Sequence, residues 1–97
     1  MQSEAYRGRV NIEITYCVIW GYLPLAAWMA TEIWHDFAED APVTLIPVAD
    51  GRLEVSAGGE VLFDRKAEGG VYPEMRRVRE IKKRIGEMLE SQVETSP

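Results

Sequence analysis

A single cysteine and a single histidine are all the thiol and imidazole chemistry available to these 97 residues. One thiol closes no disulfide within the chain, which fits a reducing compartment such as the cytoplasm. It also excludes a zinc site built from several cysteines. A net positive charge is lacking as well. A formal net charge of -5 argues against general nucleic-acid binding, which needs a basic surface to displace phosphate counterions, and against docking on anionic lipid by charge alone. The start, Met1-Gln2-Ser3-Glu4-Ala5-Tyr6-Arg7, lacks the basic-then-apolar order of a secretion signal. Residues 14–31 carry no charge, but they contain Gly21 and Pro24 and begin as an alternating strand, so they read as strand, loop and helix rather than a membrane span. No glycine-rich phosphate loop and no cluster of metal ligands is visible, so neither cofactor nor metal is expected.

What is present is an ordinary globular composition, 46% hydrophobic and 28% charged. The length suits one domain of modest stability, expected over residues 9–90 with a flexible start at 1–8 and a disordered tail at 91–97. Residues 9–16 alternate, placing Val10, Ile12 and Ile14 on one face of a half-buried strand. Residues 17–22 form an irregular apolar connection. Pro24 suits a first helical turn, where its missing N–H costs nothing. Ala27, Ala30, Trp34 and Phe37, joined by Leu23, Ala26 and Ile33, make an apolar stripe at helical spacing, and Asp36, Glu39 and Asp40 mark the solvated end. Strands follow near 43–48, 52–57 and 60–64, the last with Val61 and Phe63 alternating. Asp50-Gly51 is a turn signal, and Gly58-Gly59 is a hairpin signal because both positions tolerate positive φ. Residues 64–70 form a polar, glycine-ended loop. Pro73-Glu74 opens a second helix with Met75, Val78, Ile81, Ile85, Met88 and Leu89 on its apolar side. The order is β-α-β-β-β-α: a crossover gives two parallel strands, a hairpin extends the sheet antiparallel, and both helices pack on it.

The segments Ile12-Glu13-Ile14-Thr15-Tyr16-Cys17, Ala26-Ala27-Trp28-Met29-Ala30, Leu45-Ile46-Pro47 and Phe63-Asp64-Arg65-Lys66, and Gly69-Gly70 closely followed by Pro73-Glu74, occur in one order along nearly the whole folded part. That ordered series resembles the selenoprotein W-related (Rdx) family. The resemblance implies a thioredoxin-like α/β fold, a four-stranded mixed sheet with two helices. It also implies a Cys-x-x-Cys or Cys-x-x-selenocysteine motif after the first strand, and thiol redox chemistry often linked to glutathione. Here the motif is degenerate and reads Cys17-Val18-Ile19-Trp20: Cys17 matches the first reactive position, and Trp20 stands where the second belongs. The stretch Gly69-Gly70-Val71-Tyr72-Pro73 is one residue longer than the family's usual glycine-glycine-aromatic-proline. It is expected near the motif.

Dithiol exchange needs one thiolate to attack and a neighbouring thiol to resolve the mixed disulfide, and an indole does neither. Two readings remain. In the first, the chain is a non-catalytic partner-binding or accessory subunit. Val18, Ile19, Trp20, Tyr22 and Tyr72 then form an apolar surface for a protein partner or a homodimer, through the loop of residues 17–23. In the second, Cys17 acts as a monothiol oxidoreductase or sensor, with glutathione as the redox partner. An inward-folded loop that merely completes the core is the plain alternative to the first reading, and a packed, inert cysteine to the second. Apolar Val18, Ile19, Trp20 and Tyr22 around the sulfur disfavour its thiolate. Glu32 and His35 share a helical face at metal-site spacing, but such a site needs ligands from other helices, so a surface histidine is the simpler reading. Trp28 reads as a packing residue. Arg76, Arg77, Arg79, Lys82, Lys83 and Arg84 read as the solvated face of an amphipathic helix pairing with Glu74, Glu80 and Glu87.

Overall fold

In the computed structural model, residues 6–95 are described, without the side chains of 93–95. Strand β1 (Ile12–Cys17) leads into helix α1 (Leu23–Phe37), a short 3₁₀ turn (Ala38–Asp40), β2 (Val43–Val48), β3 (Leu53–Ala57), β4 (Glu60–Asp64) and helix α2 (Met75–Thr95). The sheet runs in the order β2-β1-β3-β4. β1 pairs parallel with β2 and antiparallel with β3, and β3 pairs antiparallel with β4. This is the four-stranded mixed sheet with two helices that the resemblance implies for a thioredoxin-like domain. The charge-free residues 14–31 are divided among strand, turn and helix, and no helix among the described residues is long and apolar enough to cross a membrane.

Alternation decides which face is covered. Ile12, Ile14 and Tyr16 of β1 and Leu53, Val55 and Ala57 of β3 point into one core, while Glu13, Thr15, Glu54 and Ser56 point away from it. α1 and α2 touch each other over that core, so one sheet face is closed and the other stays open. Val78, Ile81, Ile85 and Leu89 recur at helical spacing and supply the buried side of α2.

Four sequence expectations need correction. The buried residues of α1 are Ala26, Met29 and Ile33. Ala27, Leu23 and Trp34 lie outward instead, because a helix of Ala, Leu, Trp and Met has apolar residues nearly all round and the stripe fixes no single face. Val61 is exposed although Phe63 is buried. A register shift between Val55 and Ser56 pairs Val61 with outward-facing Ser56 and Phe63 with inward-facing Val55, so period-two alternation breaks there. Met75 lies exposed at the first turn of α2. The helix also continues to Thr95 rather than ending near Leu89, so residues 91–95 are helical where a disordered tail is expected. Residues 1–5 and 96–97, parts of the expected flexible ends, lie outside the described residues.

The basic run on α2 makes its ion pairs mainly with other elements rather than along the helix. Arg77 donates to Glu68 at 2.8 Å and to the Leu62 carbonyl at 2.6 Å. Arg84 meets Glu60 at 2.8 Å, and Lys82 meets Asp36 at 3.0 Å and Glu32 at 3.4 Å. These pairs fasten α2 to β4 and α1. Glu32 is therefore engaged by a lysine, while His35 is exposed edge-on to Trp34. No cluster able to hold a metal ion occurs among the described residues.

Candidate functional site

The site begins where β1 ends. The Cys17 N–H donates to the Arg52 carbonyl at 2.9 Å and the Val18 N–H to the Val48 carbonyl at 2.9 Å, so the sheet holds the chain up to residue 18. The turn then closes on itself. The Tyr22 N–H donates to the Cys17 carbonyl at 3.2 Å and the Gly21 N–H to the Val18 carbonyl at 3.3 Å. Gly21 takes φ 74°, a left-handed conformation that favours glycine. Pro24 sits in the first turn of α1, as its fixed φ and absent N–H predict, and no side chain caps that end.

This short turn sorts its side chains into two sets. Cys17 has 0% of its surface exposed and Tyr22 4%, whereas Val18, Ile19 and Trp20 are 50%, 71% and 57% exposed. The apolar loop thus faces outward rather than completing the core. Tyr22 leaves the proposed contact surface, because the turn directs it inward beneath its neighbours. Leu23 joins the exposed set instead. The Trp20 ring lies against the 50–51 turn. A Cβ added at Gly51, where φ is 81°, would come within 3.0 Å of the indole. Arg52 donates to both Asp50 carboxylate oxygens, and the Lys66 ammonium donates to the Asp50 carbonyl at 2.9 Å, so the turn supporting Trp20 is itself braced.

The loop after β4 closes the site from the other side. The Asp64 carboxylate accepts the Lys66 and Ala67 N–H groups, and the Gly70 N–H returns to the Arg65 carbonyl at 2.8 Å, with Gly69 and Gly70 both at positive φ. Tyr72, half-exposed, is thereby carried to Tyr22, edge to face with centroids 5.8 Å apart, and Trp20 meets Tyr22 the same way at 6.0 Å. The glycine-rich loop does lie beside the motif, as expected. Burial raises the Tyr22 phenol above its ordinary pKa, the neighbouring Tyr72 hydroxyl adds to this, and the nearby Arg65 charge opposes it.

Sequence reasoning missed Arg65. Its guanidinium carbon lies 5.0 Å from the Tyr72 ring centroid, 5.5 Å from Tyr22 and 5.9 Å from Trp20. Three rings from two segments converge on one cation, a contact of the kind arginine makes through its flat face. No pattern in residues 64–70 announces this, since the loop reads only as polar and glycine-ended. The chemistry available is thus a buried sulfur at the end of β1, an aromatic cluster around one cation, and an apolar rim open to solvent.

The sequence model of the Rdx family matches residues 11–87. Among solved structures, a protein from Bordetella parapertussis is 33% identical with a TM-score of 0.70, over 80% of this chain and 95% of that one. A selenoprotein W-related protein from Vibrio cholerae is 36% identical with a TM-score of 0.63, over 75% of this chain and 96% of that one. No curated protein matches the chain.

Proposed function

The chain belongs to the Rdx family, and we propose that it has exchanged two-thiol chemistry for contact, presenting residues 18–20, Leu23 and Tyr72 to a partner protein or a second copy. One observation carries this reading. Cys17 has no exposed surface, while each of the next three residues exposes half or more of its side chain. Attack on a disulfide requires the sulfur to reach its target. A thiol with no access in the folded state, and no second cysteine in the chain to resolve a mixed disulfide, is poorly placed for turnover. Glutathionylation of Cys17 belongs to an opened loop rather than to the folded state. Contact needs only the apolar rim, and contiguous exposed apolar side chains with Trp and Tyr among them are the usual composition of an interface centre.

A photo-crosslinking amino acid placed at Ile19, with the same group at Val61 as the control, tests the reading in cells. The two positions are comparably exposed, at 71% and 60%, and lie in different parts of the fold. Position 19 is expected to give a discrete adduct, either a dimer of this chain or one heavier species, that disappears in a Trp20→Ser background. Identical diffuse labelling from both positions would remove the docking role.

A further inference from the structure

Arg52, Arg77 and Lys82 are the other half-buried cations among the described residues, and each faces a carboxylate. Arg65 faces none. Its interactions are the three ring contacts, and its Nε is buried without a hydrogen-bond partner. A half-buried cation without a carboxylate partner is the exception to that pattern. Aromatic stacking occupies the face of a guanidinium and leaves in-plane N–H donors free for a carboxylate fork; with Nε covered, those donors are on the two Nη groups of the half-buried side chain. Gly70 lies beside one of those donors: a Cβ at that position would still be 3.8 Å from Nη2, so the backbone there places no side chain across the approach.

We infer that Arg65 is the charge-reading residue of the docking surface, receiving a single carboxylate from a partner peptide segment whose flanking apolar side chains rest on Ile19, Trp20 and Tyr72. This rests on the docking role proposed above. Charge selects the occupant. A lone guanidinium matches the single charge of one carboxylate, whereas a phosphate dianion would leave negative charge uncompensated on a chain of net charge -5. The exposed neighbours Ile19, Trp20, Val71 and Tyr72 are apolar or aromatic, so the segment carrying that carboxylate is apolar on either side of it. Arg65 also links specificity to shape, because the rings that hold it are the ones the peptide would touch.

The test is a titration of the ¹⁵N-labelled protein with two blocked tetrapeptides, acetyl-Leu-Asp-Leu-Phe-amide and its Asn counterpart. The Trp20 indole and Arg65 Nε–H resonances are followed. The Asp peptide is expected to bind at least about tenfold more tightly than the Asn peptide, the scale of a hydrogen-bonded charge pair. Arg65→Met should bind both peptides with the Asn peptide's affinity, and Arg65→Lys should keep only part of the preference. Binding of both peptides with equal affinity, abolished by Ile19→Asp, would overturn the role of Arg65 while leaving the docking surface in place. If neither peptide moves either resonance at millimolar concentration, both readings fall. Because the comparison of the two peptides uses the unmodified protein, the outcome does not depend on how well the Arg65 variants fold.

Discussion

The α2–β4 side of the molecule and the Cys17 end obey opposite rules. Along α2, Val78, Ile81, Ile85 and Leu89 turn inward and the cations Arg77, Lys82 and Arg84 each meet a carboxylate on another element. At the Cys17 end, Val18, Ile19, Trp20 and Tyr72 turn outward, the sulfur turns inward, and Arg65 is held by rings with no anion. A surface built only for solubility would resemble the first region throughout. The second keeps features that cost stability, and such exceptions tend to mark where a protein acts.

Core substitution should separate the regions most sharply. Phe63→Ala, removing a ring only 1% exposed, should cost about 3–5 kcal/mol in urea unfolding. Next is the latch between α2 and the loop after β4. Arg77→Met leaves the Leu62 carbonyl without its donor and should cost about 1–2 kcal/mol. The same pair sets a pH dependence. The hydrogen bond from Arg77 holds the Glu68 carboxyl below its ordinary pKa, so its stabilisation is present above the unfolded value of about 4.3. That contribution is lost as pH falls through the lowered folded value. Acid unfolding of Glu68→Gln should accordingly show a shallower decline with pH than the unmodified chain.

Two further substitutions probe the Cys17 end. Gly51→Ala should cost about 1–2 kcal/mol from positive φ alone, with an additional loss where the new methyl meets Trp20. In a Trp20→Ser background that additional loss should vanish, leaving only the backbone strain. Ile19→Ala should change stability by less than about 0.5 kcal/mol, since the side chain is mostly in solvent, yet weaken docking. A large stability loss on Ile19→Ala would show that the loop serves the fold and erase the contrast between the two regions.

The legible parts of the fold were those written in local pattern. Strict alternation in Ile12, Ile14 and Tyr16, the Gly58-Gly59 turn and the Val78, Ile81, Ile85 spacing each specify an element and its inner face. Trp34 and Leu23 misled because α1 is apolar around much of its circumference, and only packing against the sheet chooses among its faces. The bulge at β4 is a property of a pair of strands, so Val61 alone carries no sign of it. At the site, apolar character without strand or helix period marked residues 18–20 as irregular, but whether they faced outward or folded into the core stayed open until the turn geometry decided it. The burial of Tyr22 was not, because it depends on Tyr72 and Arg65 arriving from a loop some fifty residues later in the chain. Arg65 stands in one of the segments that carry the family resemblance, but its role was not legible there, since a missing ion partner exists only in three dimensions.

The most direct test of the account is the reactivity of the Cys17 thiol in the folded protein, measured with a neutral aromatic disulfide or iodoacetamide at pH 8 and again in denaturant. A sulfur with no exposed surface should react roughly a hundredfold or more slowly when folded, with a rate that rises with urea as the loop opens. Labelling of the folded chain at the rate of the unfolded one, accompanied by a stable glutathione adduct, would contradict the sealed site and return Cys17 to chemistry.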